Sequence, residues 1–231
     1  MIKRLLVIPS RSGSTRIKNK NMKFFFKKPI IEYGLNQAIK SKLFTKIHVS
    51  TNSLRQIKYL SKYRTLDNFL KSNKLSKDQI PIIEVMKYVL ESFKKKNQLF
   101  DEIWMLLPCS PLIDKHDLIR GSKILKANKA FTTVSANRIP IQWTYEIKKN
   151  KLNPFFPNFF KKRSQNIKQT FFEVGVFAGW QTNYFLKCLK KNRNFKFSPL
   201  LLEYFKSFDI DNQEDWNIVK KVYKYNLHNH A

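Results

Sequence analysis

Four cations punctuate a short loop rich in hydroxyls: Arg11, Arg16, Lys18 and Lys20, set among Ser10, Ser12, Gly13, Ser14 and Thr15. These residue types at this spacing suit the holding of phosphate. Exposed backbone N–H groups can form an anion-binding nest, while Arg and Lys neutralise the charge. Gly13 permits backbone angles closed to other residues. The loop carries neither GxxxxGK[ST] nor GxGxxG, so it is neither common phosphate-binding loop. A solvated basic loop after an edge strand is the competing reading. Near the other end of the chain, Asp209-Ile210-Asp211 offers a second candidate. Side chains alternate along an extended backbone, so Asp209 and Asp211 would point the same way. Two carboxylates on one side can hold a hard divalent cation through oxygen. The same residues also read as a turn and N-cap for a helix over residues 213–224, with Asp211 or Asn212 as the cap. Cys109 beside Ser110 has no positioned His partner, and it reads as a small buried thiol rather than a nucleophile.

Regular elements must bring these residues together. The apolar run Leu5–Ile8, closed by Pro9, fits a strand buried on both faces and feeds straight into the cationic loop. A helix is expected from Pro29 to Lys42 with Pro in its first turn. Residues 46–51 read as a strand ending in small polar residues. A helix ending near Tyr63 follows, and then a polar loop over residues 64–78. Ile82, Val85, Met86, Val89, Leu90 and Phe93 recur at helical spacing and read as a plain core helix. Further strands are expected at residues 101–107, 130–136 and 171–177, a helix at 114–127, and an extended stretch at 200–208. Residues 137–170 are irregular, with three prolines and a cluster of aromatics, and read as an excursion suited to a subunit interface. Strands alternating with helices predict one α/β domain, a three-layer sandwich with a mostly parallel central sheet. Ligands in such sheets bind at the carboxyl ends of the strands. There the Arg11 loop, the Ser50–Thr51 end and the Pro108 loop would converge.

At 231 residues the chain can bury a sizeable core. No apolar run reaches the ~18 residues of a membrane-spanning helix, and no signal-peptide core is evident. Two cysteines make no disulfide framework, which suits a cytoplasmic protein. The net charge of +29 could mean a nucleic-acid partner. The cations are spread along the whole chain, however, so the charge reads as solvated surface, with small anionic ligands sufficient.

The stretch Ile8–Asn21, IPSRSGSTRIKNKN, resembles the opening signature of the cytidylyltransferases that activate sialic, pseudaminic and related nonulosonic acids, roughly IPARxxSKxIxxKN. KSNKLSKD at 71–78 is similar to their RPxxLSxD element, and LLPCSPLI at 106–113 to LLQPTSPLR. Arg163-Ser164-Gln165 with the EVGVF strand resembles the pseudaminic members more than the sialic ones, and DIDNQEDW at 209–216 resembles the closing DIDTxxDW, departing only at Asn212. The resemblance implies a nucleotide-diphospho-sugar transferase fold, CTP and a nonulosonic acid as substrates, Mg²⁺ as cofactor, and a homodimer through residues 137–170. It implies Arg11, Lys20 and Asp211 as catalytic residues. Ser10, Arg11, Ser12, Gly13, Ser14, Arg16, Asn21, Lys71 and Ser110 would contact nucleotide. Arg163, Gln165 and Glu173 would contact the sugar, with Lys71 and Arg163 the candidates for its carboxylate. Asp209 and Asp211 would hold the metal. Several positions depart from the pattern: Thr15 stands in place of Lys and Leu107 in place of Gln, and milder changes fall at Ser10, Asn52, Lys71, Ile113, Glu173 and Asn212. Other sugar acids, a non-catalytic nucleotide binder and an RNA-binding protein are the alternatives.

Overall fold

The computed structural model describes residues 2–11, 13–14, 16–71, 75 and 79–229, without the side chains of 227–229. Strand β1 (Arg4–Pro9) runs at the heart of the chain's first half, its four central residues buried on both faces. It pairs in parallel with β4 (Lys46–Ser50) on one side and with β5 (Glu102–Leu106) on the other. β6 (Ala130–Ala136) and β10 (Ser198–Leu201) pair in parallel at the far edge. β9 (Phe171–Gln181) joins the two groups and is antiparallel to both β5 and β6. The six-stranded order is therefore β10-β6-β9-β5-β1-β4. Three adjacent parallel strands put the ends of β1, β4 and β5 on one edge.

Helices cover both faces. On one, α1 (Ile31–Ser41) and α4 (Lys115–Ala127) pack Leu35, Ala38, Leu118 and Leu125 against Leu6, Ile8, Trp104 and Phe131. On the other, α3 (Ile82–Lys94) and α5 (Thr182–Lys190) pack Met86, Val89, Phe93 and Phe185 against Leu5, Val7, Ile103 and Trp180. Each such fully buried side chain contributes roughly 1.5–3 kcal/mol. Gly179 in β9 and Gly121 in α4 let their backbones close onto Phe131, since a Cβ would lie 2.5 Å and 2.7 Å from its ring. In β9, Gly175 takes φ +61° where the register with β6 slips, a bulge that a side chain would strain.

A third cluster positions the site. Ile17 of the cationic loop, Phe25 and Ile30 around the short hairpin β2 (Phe24–Phe25) and β3 (Lys28–Pro29), Cys109 and Leu112 after β5, and Ile210 of the DID run all meet Trp216 and Val219 of α6 (Gln213–Asn229). The remaining helix, α2 (Leu54–Leu60), begins at Ser53, whose side chain accepts from the Gln56 N–H. Two expectations need correction. Pro29 closes the hairpin opposite Phe24, and the helix starts only at Ile31. The stretch from Leu200 to Phe208 is not extended throughout, because residues 204–207 form a 3-10 turn. The arm is a hairpin of β7 (Tyr145–Lys148) and β8 (Lys151–Pro154) outside the main sheet, with Ile147, Leu152, Phe155 and Phe156 exposed. Among the described residues no helix is long and apolar enough to cross a membrane.

Candidate active site

A cleft of about 330 Å³ opens at the carboxyl ends of β1 and β5. Arg11, Ser14, Arg16 and Lys20 line it from the β1 loop, Lys71 from the loop beyond β4, Leu107 and Pro108 from β5, and Asp211 from the far end of the chain. These expected residues are thus brought together over 200 positions of sequence. Asn21 also reaches the cleft, but its amide is committed. It donates to Ser10 Oγ at 2.9 Å and to the Arg11 carbonyl at 3.2 Å, and its Oδ1 accepts from Cys109 Sγ at 3.3 Å. Asn21 clamps the β1 loop to the β5 loop.

Several expected contacts turn out to be braces. Ser10 is fully buried, its N–H given to Ser50 and its hydroxyl accepting from Asn21 and Gln56, so it supports the loop from below. Ser110 is buried, and its hydroxyl donates to the Leu107 carbonyl at 2.6 Å, closing the turn after β5. Gly13 has no left-handed φ and has open space where a Cβ would sit, so nothing there requires glycine. Ser12 and Thr15 lie outside the described residues, as do 72–74 and 76–78 of the KSNKLSKD run. The three sugar contacts do not line this cleft. Arg163 is exposed at the start of a 3-10 turn, Gln165 faces a separate hollow with Arg138 and Lys168, and Glu173 accepts from Thr132 Oγ1 at 2.9 Å.

Electrostatics separate the cleft's cations. Lys71 is 6% exposed and, among the described residues, no carboxylate pairs with it. Burial, and then the charge of Arg11, push its ammonium below the usual lysine value. Lys20 hydrogen-bonds the Ile210 carbonyl and lies 3.8 Å from Asp211 Oδ1; Arg16 Nη1 lies 2.9 Å from Asp211 Oδ2. Cys109 is no nucleophile, since burial above all raises its thiol to about 12.

The DID run lies in coil between the 3-10 turn and α6, yet the alternation survives: Asp209 exposed, Ile210 buried, Asp211 half-buried. Asn212 caps α6, its Oδ1 accepting from the Glu214 and Asp215 N–H groups, which leaves both aspartates outside the cap. Asp209 Oδ1 takes the Ile210 N–H, and the charges of both aspartates reach Cys109. No cluster of three or more metal-binding side chains occurs among the described residues. Two carboxylates fit Mg²⁺, which takes one or two from protein and completes its shell with phosphate and water.

Sequence reasoning treated the helix over residues 82–94 as core alone. Ile80, Ile82 and Val85 in fact form an apolar wall of the cleft, with Ile82 38% exposed. Its position directly after the loop bearing Lys71 was the available signal.

A mostly parallel α/β sheet with a cationic cleft at its strand ends and the Asp211 carboxylate in its lining fits a nucleotidyltransferase. Residues 5–151 match the family model described as cytidylyltransferase, and the chain belongs to that family. It is 27% identical to a pseudaminic acid cytidylyltransferase of Campylobacter jejuni, with 97% of this chain and 98% of that protein aligned. It is also 27% identical to a CMP-N,N'-diacetyllegionaminic acid synthase of Legionella pneumophila, over 96% and 97% of the two chains. A CMP:2-keto-3-deoxy-manno-octonic acid synthetase solved with CTP superposes with a TM-score of 0.67 at 14% identity, covering 97% of this chain and 99% of the other, which is a likeness of fold.

Proposed function

We propose that the chain transfers CMP from CTP to the anomeric hydroxyl of a nonulosonic acid, with pseudaminic acid as the preferred substrate. The observation that carries the nucleotide assignment is Lys71. A buried ammonium beside Arg11, with no carboxylate partner among the described residues, is costly to keep unless a ligand brings the anion. Triphosphate oxygens supply it. Arg11, Lys20 and Lys71 bind and orient the triphosphate, and Ser14 adds a hydroxyl at the same wall. Mg²⁺ on Asp209 and Asp211 would offset phosphate charge when bound.

The anomeric oxygen forms its bond to the α-phosphorus, the bond from that phosphorus to the β-bridging oxygen breaks, and pyrophosphate departs with those electrons. Asp211, the only carboxylate lining the cleft among the described residues, takes the hydroxyl's proton directly or through water. The apolar wall of Ile82, Val85 and Leu107 supports the sugar assignment, because it suits a ligand with fewer hydroxyls, and so does the RSQ and EVGVF likeness. A homodimer joined through the exposed arm and a cytoplasmic location complete the reading.

The experiment is pyrophosphate release from CTP and Mg²⁺ with four acids: pseudaminic, N,N'-diacetyllegionaminic, N-acetylneuraminic and 3-deoxy-manno-octulosonic. Pseudaminic acid should give the highest kcat/KM. A preference for another acid removes the sugar assignment, and silence with all four removes the reaction. Asp209→Ala should abolish metal-dependent transfer without lowering Tm; wild-type rates from that variant would take Asp209 out of the site.

A further inference from the structure

Asp211 is expected to serve a cation, yet a guanidinium already occupies it. Arg16 Nη1 sits 2.9 Å from Oδ2, and Lys20 lies 3.8 Å from Oδ1. The two cations are held differently. The Lys20 side chain is 20% exposed and is tied to the Ile210 carbonyl, so it belongs to the frame that fixes the DID run beside the β1 loop. The Arg16 side chain is 64% exposed, and its ion pair with Asp211 is open to water. Such pairs are weak and readily exchanged. Arg16 also lines the same cleft wall as Arg11 and Ser14, within the room a triphosphate would fill.

We propose that Arg16 is a positioning residue with two partners: it neutralises Asp211 in the empty cleft and passes to the triphosphate when nucleotide and divalent cation arrive together. The proposal rests on Asp211 as a cation ligand in the cytidylyltransferase reading above. Its physical content is competition. A divalent ion approaching the empty site must displace a guanidinium from Oδ2, so the ion alone binds poorly. Phosphate oxygens offer Arg16 a second, multiply charged acceptor, which vacates Oδ2 for the ion. Nucleotide and cation therefore strengthen each other through one side chain, and the coupling is reciprocal. Thr15, where the family signature has Lys, leaves Arg16 as the neighbouring cation able to take this part.

The test measures binding, without sugar acid. Mn²⁺ is titrated into wild type and Arg16→Gln, each with and without CTP, and followed by its paramagnetic resonance signal. CTP is titrated by calorimetry in the presence of chelator. Arg16→Gln should bind Mn²⁺ alone more tightly, by about 2- to 5-fold as an ion pair open to water allows, while the factor by which CTP tightens Mn²⁺ shrinks. Affinity for metal-free CTP should fall. In an Asp211→Asn background the Arg16→Gln change should leave Mn²⁺ binding unaltered. Arg16→Gln chains that bind Mn²⁺ alone no better than wild type, or a gain that persists without Asp211, overturn the proposal. Failure of the sugar-acid panel with the Mn²⁺ result intact removes the substrate reading and leaves Arg16's role. An active panel without the Mn²⁺ result removes Arg16's role alone.

Discussion

Two lysines are buried to nearly the same depth, and their surroundings are opposite. Lys206, 9% exposed, donates at 2.7 Å to both Asp114 and Asp117, the two carboxylates of the capping box that starts α4. Burial alone would lower its pKa, but those hydrogen bonds and charges raise it. Lys71, 6% exposed, has burial and Arg11 acting in the same direction, and its pKa falls. A charge compensated within the fold serves stability, whereas one left to be compensated by a ligand serves binding. Depth of burial does not distinguish the two; the partner does.

The largest expected effect tests the compensated side. Lys206→Met leaves Asp114 without its cation and Asp117 with only Arg120, 3.4 Å away, and should cost about 3 kcal/mol of stability, read as a lowered Tm, with CTP affinity unchanged. His48 supplies a buried base of a third kind, compensated by staying neutral. Burial holds it down to about 4 against an ordinary 6.5, with Nδ1 2.8 Å from the Asp67 carbonyl and Nε2 without a partner among the described residues. Above pH 6.5 neither folded nor unfolded chain protonates it. As pH falls from 6.5 toward 4 the unfolded chain takes up the proton and the folded chain does not, so stability is lost across that window. The loss should approach about 3 kcal/mol, and denaturant titrations of His48→Leu should lack this slope.

Lys71→Met tests the uncompensated side. CTP affinity should fall by the about 1.5–3 kcal/mol of a charge-assisted bond, while Tm holds or rises. If Lys71→Met lowers Tm as Lys206→Met does, the contrast between the two sites fails. The smallest effect concerns selectivity. Leu107 has its N–H fixed to the Val176 carbonyl at 2.8 Å, and its side chain lines the cleft. Leu107→Gln should move kcat/KM toward N-acetylneuraminic acid by about 1–3 kcal/mol at most.

Much of this was legible in the sequence, but not evenly. Apolar runs such as Leu5–Ile8 and the stripe from Val85 to Phe93 report their own burial, because a strand or helix must hide such residues somewhere. Arg11, Arg16, Lys20, Lys71 and Asp211, expected from the loop's residue types and the family resemblance, line one cleft. For Ser10, Asn21 and Ser110 the sequence did not show the bonds they make within the fold. A small polar side chain serves equally as ligand contact or internal brace, and the choice depends on a partner such as Gln56, 46 residues further along. Arg163, Gln165 and Glu173 matched a pattern, but a pattern does not say which hollow a residue faces. Nor did any local signal expose the Lys206 triad, whose lysine lies 92 and 89 residues from its two aspartates.

The placement of β9 bears on how a ribosome would deliver this molecule. The strands β4, β1 and β5 are complete once Leu106 has emerged, and they can pair at once as a three-stranded unit. β6 follows but has no neighbour among them, because its place is on the far side of β9. The sheet stays in two pieces until Gln181 is made, and β9 then slots between them against Phe131 and Trp104 at the glycine that admits it. Asp211 comes later still. The lining of the cleft is therefore completed only when Asp211 has been made, long after the β1 loop that supplies most of its cations.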